Sequence, residues 1–274
     1  MRLNPQLPRQ TTSLDDTDIA FIGTGQGRPV LLVHGSLCDY RYWTPQLRTL
    51  SAHGEVRAVS LRYCWPNPPV SDAALAQAPY SIGQHADDLI RCLELWNWSG
   101  VDLVGHSRGA RVALELALRA PQRLRTLTLA DPGLPDTDDG TPSPYAMQAA
   151  AAIRAGDPET GVGGFVDAVN GPDTWRRMIA DFRRMALDNA ATLLPQATES
   201  LPLPSEAALA ALDRPVLLMG GANSPARYAR ARSWLQDRLP DTRSVVIAGA
   251  AHGMNLARPQ AFQEALTTFW STSA

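Results

Sequence analysis

Short runs of consecutive apolar residues alternate along this chain with stretches of helical periodicity. The runs fall at 19–22, 30–33, 56–61, 101–104, 124–130, 216–219 and 244–248. A strand that is apolar at every position has both faces buried, so these runs predict a mostly parallel sheet covered by helices on both sides. Helical periodicity predicts helices near 42–52, 81–96, 108–120, 226–239 and 259–270. Pro121 and Pro240 stop two of them, and Pro259 suits the first turn of the last. The first fifteen residues show no strand pattern strong enough to place, and no internal repeat is visible.

The alternation lapses once. From 132 to 213 only helical segments occur, punctuated by Pro, Gly and Asp. That length is far beyond a structureless loop in a compact domain. It predicts a helical lid inserted into an α/β core formed by 1–131 and 214–274. Within the lid Trp175, Met178, Phe182 and Met185 recur at helical spacing. Such a stripe either faces a pocket or packs the lid onto the core. Arg176, Arg177, Arg183 and Arg184 form the opposite, basic face, the mark of a solvated surface.

Composition narrows the function classes. The chain has 274 residues, is 45% hydrophobic and carries a formal charge of −2. It has no basic footprint for nucleic acid and no apolar run long enough for a membrane span. No leader pattern opens it, which points to the cytoplasm. All 25 basic residues are arginine. The missing lysine excludes a phosphate-loop lysine, a pyridoxal Schiff base and a serine–lysine dyad. Cys38, Cys64 and Cys92 lack metal-ligand spacing and read as reduced thiols.

The chemistry centres on Gly105-His106-Ser107-Arg108-Gly109, set between an apolar strand and a helical stretch. Strand, sharp turn and helix with this pattern form a nucleophile elbow, which thrusts the serine hydroxyl out of strained backbone. A serine needs a base, and His252 follows the last strand in the small-residue loop Gly249-Ala250-Ala251-His252-Gly253. His53 and His85 read as structural or surface residues, and His34 and His106 as loop supports. The oxyanion would be held by the backbone amide of Arg108 and by that of Ser36 or Leu37, in the turn Val33-His34-Gly35-Ser36-Leu37.

With these motifs, the chain resembles the α/β-hydrolase fold superfamily over nearly its whole length. Two departures stand out. Many members place the acid in a Gly-x-x-Asp turn after the lid, where this chain reads Gly220-Gly221-Ala222-Asn223. An amide orients an imidazole but does not stabilise its charged form. Replacing the acid by its amide in a serine protease costs about four orders of magnitude in turnover. Asp131, at the end of the run 124–130, is the better candidate. Haloalkane dehalogenases and zearalenone-lactonase-like members carry their acid after this same strand, and the resemblance implies that role for Asp131. Asn223 remains as a degenerate alternative, and capping the lid entrance as the other use of Asp131.

The second departure is an aromatic, proline-rich loop at 60–69 in place of a Gly-rich turn. Trp65 there, with Tyr42, Trp43, Trp175, Met178 and Phe182, is expected to line the substrate pocket. Arg62 reads as an ordinary salt bridge before a substrate contact. The resemblance implies a cofactor-independent, metal-free serine hydrolase acting on a small ester or lactone, with Ser107, His252 and Asp131 as its triad. The alternatives are a carbon–carbon bond hydrolase, perhydrolase or lyase on the same framework, or a non-catalytic binding protein. Neither the substrate nor the oligomeric state is legible.

Overall fold

A computed structural model describes residues 7–68, 70, 71, 80–135 and 140–273. Its centre is an eight-stranded sheet in the order β1-β2-β4-β3-β5-β6-β7-β8. The strands are β1 Gln10–Ser13, β2 Asp18–Thr24, β3 Pro29–Val33, β4 Glu55–Val59, β5 Val101–His106, β6 Leu124–Ala130, β7 Val216–Gly221 and β8 Thr242–Ile247. From β4 to β8 all pairings are parallel; β1 and β2 are antiparallel additions at one edge. The edge strand β1 is the element that the sequence pattern did not reveal. Its residues Gln10, Thr11, Thr12 and Ser13 are polar and mostly exposed, so they carry no hydrophobic period.

Helices α1 Thr44–Leu50, α2 Ile82–Leu95, α3 Arg108–Arg119, α10 Ala226–Gln236 and α12 Pro259–Thr272 flank the sheet; the short α11 spans Met254–Ala257. Alternation along each strand sorts its side chains onto two cores. Leu31, Val33 and Leu103 pack with α2 and α3 on one face. Val30, Leu32 and Val104 pack with Trp43, Phe262 and Leu266 on the other. Helix starts follow local chemistry. Ser81 caps α2 by accepting from the Gln84 amide, and Pro259 opens α12 with its φ already fixed.

Between β6 and β7 the described chain is helical: α4 Pro144–Arg154, α5 Pro158–Asn170, α6 Thr174–Arg177, α7 Ala180–Asp188, α8 Leu193–Gln196 and α9 Glu206–Ala210. Ser143 and Asp157 cap α4 and α5 just before a proline. This insertion has its own core, Ala146, Ala149, Val162, Phe165, Val166 and Leu193, which also takes in Leu37 from the turn after β3. The stripe read as one helix is in fact broken. Met178 is extended (ψ 138°), which separates α6 from α7. No described helix is long and apolar enough to cross a membrane.

Candidate active site

The elbow is built by close backbone crossings. Ser107 has φ 56°, a left-handed conformation that side chains rarely adopt. A Cβ on Gly105 would lie 2.4 Å from the Gly109 carbonyl oxygen, and one on Gly109 would lie 2.2 Å from that of His34. Both positions are therefore closed to any larger residue, and the turn presses against the loop after β3. Gly35 is packed less severely but still tightly: its Cβ would lie 3.0 Å from the Cβ of Ser107. This brings Ser36 and Leu37 beside Ser107, on the wall of the cavity that all three line. Arg108 is the first residue of α3, so its amide has no intrahelical acceptor and is open to an oxyanion.

His252 is buried, with Nδ1 3.2 Å from Asp131 Oδ2. Asp131 is fully buried at the end of β6. Its backbone is in the left-handed region (φ 41°), pinned by an amide donating to the Met219 carbonyl on β7. Two further groups hold its carboxylate. Ser224 Oγ donates to Oδ2 at 2.5 Å, and Arg232 Nη1 lies 3.3 Å from Oδ1. Gly220 makes the second contact possible, because a Cβ there would sit 1.8 Å from Arg232 Nη1. Asn223, the alternative acid position, is exposed, and among the described residues its backbone amide alone is engaged, donating to the Ala250 carbonyl.

Tyr228 was not singled out by the sequence reading. Its ring stacks on the imidazole of His252 (centroids 4.1 Å apart, 15° between planes) and its hydroxyl lies 3.3 Å from Nε2. The same hydroxyl donates to the Val169 carbonyl of the insertion and contacts the Ser107 side chain. Burial pushes the phenol up to about 12, so it stays protonated. Tyr228 and Arg232, four residues apart on α10, and Ser224, in the turn just before that helix, are all directed at the Asp131–His252 pair. That spacing was visible in the sequence, but it reads as an ordinary amphipathic face until the fold supplies its neighbour.

The remaining histidines support the loops. His106 Nε2 donates to the His252 carbonyl at 2.8 Å. His34 Nδ1 donates to the Gly35 carbonyl, and its Nε2 accepts from the Leu61 amide. His85 is buried against the edge of the Tyr80 ring, away from the surface that the sequence allowed it, whereas His53 is exposed. Arg62 is buried in ion pairs with Asp16 and Asp88 and contacts neither lobe of the cavity. The three cysteines are free and buried. Among the described residues no cluster of His, Cys, Asp and Glu has metal-binding geometry.

Ser107 stands between two lobes of a cavity under the insertion. The first, about 440 Å³, is walled by Tyr42, Met178, Phe182 and His252. The second, about 420 Å³, is walled by Arg108, Tyr145, Arg227 and Tyr228. Three residues expected in the pocket line neither lobe. Trp43 is wholly buried in the core against Phe262. Trp65 is partly exposed beneath the Arg41 guanidinium. Trp175 packs on Gly163, where a Cβ would come within 2.8 Å of its ring. Trp43 and Trp175 fill packing gaps instead of a cavity wall, and Trp65 lies at the surface as a platform for Arg41.

With strand order, elbow and insertion in place, the class of protein follows. Residues 30–265 match the alpha/beta hydrolase family, and the chain belongs to it. Among curated relatives, a candidate carbamate hydrolase of Azorhizobium caulinodans is 24% identical over 260 residues, covering 93% of this chain and 95% of the relative. A pimeloyl-acyl-carrier-protein methyl ester esterase of Nitrosospira multiformis is 25% identical over 252 residues, covering 87% and 92%. Among solved structures, a thermophilic esterase from Thermogutta terrifontis is 25% identical with a TM-score of 0.77, covering 98% and 99%.

Proposed function

We propose that the protein is a serine hydrolase that cleaves the carboxylic ester or lactone of a small, largely apolar molecule through an acyl-enzyme. One observation carries this reading. A left-handed serine and a carboxylate-bound histidine meet at a single cavity roofed by the helical insertion. In this reading the insertion, 132–213, acts as a lid over the core.

The steps follow from the placement of the groups. Ser107 Oγ attacks the acyl carbon as Nε2 of His252 takes its proton. Asp131 holds Nδ1–H and stabilises the imidazolium. The amides of Arg108 and of Ser36 or Leu37 receive the negative charge on the carbonyl oxygen. Collapse expels the alcohol, which takes the proton from Nε2, and water repeats the sequence on the acyl-enzyme. Tyr228 serves the same cycle. Its hydroxyl proton is held by the Val169 carbonyl, which leaves the single lone pair of Nε2 for the Ser107 proton and lets the phenol oxygen accept from Nε2–H once the imidazole is charged. Both ester and lactone cleavage use this attack, as does carbamate cleavage, so the bond broken is settled by assay.

Hydrolysis of p-nitrophenyl acetate, butyrate and octanoate by the wild type and by Ser107→Ala tests the reading. The wild type turns over at least one of them, and the variant falls to background, a loss of at least about a thousandfold. Folded wild type without turnover on any ester or simple lactone would remove it.

A further inference from the structure

The two lobes differ in charge and in their access to the base. Neither is lined by an aspartate or glutamate among the described residues, although the molecule as a whole is weakly acidic. Three arginines line them instead. Arg108 is already neutralised by a buried pair with Glu199. Arg177 stands largely in solvent beside Asp173. Arg227 is different. It is half-buried, and its guanidinium lies 4.9 Å from the centroids of both Tyr145 and Tyr228. Its Nη2 donates to the Ala168 carbonyl at 2.9 Å and lies 3.5 Å from the Tyr228 hydroxyl. No carboxylate among the described residues pairs with it. Among the described residues nothing binds Nε or Nη1, which are left for a ligand, and a guanidinium is fixed in geometry and always charged.

The direction in which a substrate lies follows from the proton. A leaving alcohol must take its proton from Nε2, and His252 lines the first lobe and not the second. The second lobe, which holds Arg227, then faces the acyl chain. We infer that this lobe receives an acyl chain ending in a carboxylate, so that the substrate is a half-ester of a dicarboxylic acid whose free acid pairs with Arg227. The inference rests on the ester-hydrolase reading for its orientation, but it concerns binding and is testable without turnover. The apolar lining that this lobe shares with Ser107 and Arg227, including Tyr145, Leu134 and Leu201, suits the methylene stem of such an acid.

The test compares monomethyl glutarate with methyl glutaramate, its uncharged amide of the same size, with the succinate and adipate homologues bracketing the reach. Calorimetric binding to Ser107→Ala separates recognition from chemistry. A charge-assisted pair predicts that one of the half-esters binds roughly ten- to a hundredfold more tightly than its amide. Adding Arg227→Gln brings that ratio to near one, while Arg227→Lys restores part of it. Thermal melts show that the variants are folded.

Equal binding of acid and amide at every chain length would overturn the inference. So would a preference that persists without Arg227. Turnover of the same esters by the wild type is read in parallel. Ester hydrolysis without acid preference sinks the carboxylate and leaves the serine hydrolase standing. Acid preference without hydrolysis does the reverse.

Discussion

Asp131 shows how much one residue is asked to carry. It combines full burial, a left-handed backbone and contacts from Ser224, Arg232 and His252. Non-glycine backbone of this kind costs on the order of 1–3 kcal/mol and persists only where the surroundings over-determine it. Asp131→Asn keeps the shape and removes the charge, so turnover falls by about four orders of magnitude, while Asn223→Ala stays within a few-fold of wild type. Steady-state kinetics on any accepted ester check the pair, and a reversed order would transfer the acid role to Asn223. Asp131 could be singled out in the sequence only through the resemblance to family members that carry their acid after the same strand. Trp43, Trp65 and Trp175 were not separable from cavity residues, because an aromatic at an apolar position looks the same whether it faces ligand or core. Tyr228 and Arg227 stayed hidden for the opposite reason: nothing along the chain says that His252 lies across from them.

At the scale of elements, the glycines divide into those that permit a backbone crossing and those that admit a side chain. Gly109 belongs to the first kind, since an added Cβ would meet carbonyl oxygens of His34 and Val33 at 2.2 and 2.5 Å. Backbone there has nowhere to retreat without parting α3 from β3. Gly109→Ala therefore lowers unfolding stability by more than about 2 kcal/mol and removes activity with it. Gly220 belongs to the second kind, because its Cβ would meet only the far end of the Arg232 side chain and no backbone. Gly220→Ala leaves stability within about 1 kcal/mol and displaces Arg232 from Asp131, so turnover drops while the melt barely moves. Denaturant unfolding and kinetics on both variants distinguish these outcomes. The bounds of β3, β6 and α3 were legible to within a residue from hydrophobic runs and breakers alone, whereas β5 runs two residues past its apolar run, through Gly105 and His106. The division between α6 and α7 was not, because Met178 keeps the apolar period while its backbone leaves the helix.

At the scale of the molecule, the same packing that builds the site makes stability depend on pH. His34, His85 and His106 are buried, and burial lowers the pKa of each below the ordinary 6.5; His34 is pushed down to about 4. The hydrogen bonds of His34 agree, since its Nε2 accepts from the Leu61 amide and would lose that bond on protonation. A base with a folded pKa below its unfolded one stabilises the fold above the unfolded pKa. That stabilisation is lost as pH falls from about 6.5 toward the folded value, because there the unfolded chain binds more protons. For His34 the loss by pH 5.5 is about 1.4 kcal/mol, and His85 and His106 add to it in the same direction. Urea unfolding at pH 7.5 and 5.5 measures the sum, and His34→Gln should shrink the difference between the two. Equal stability at both values would mean that these side chains are already charged or solvated in the fold. The turn that positions Ser36 and Leu37 hangs from His34 and Gly35, so the proposed oxyanion site is expected to loosen in the same pH range in which the fold weakens.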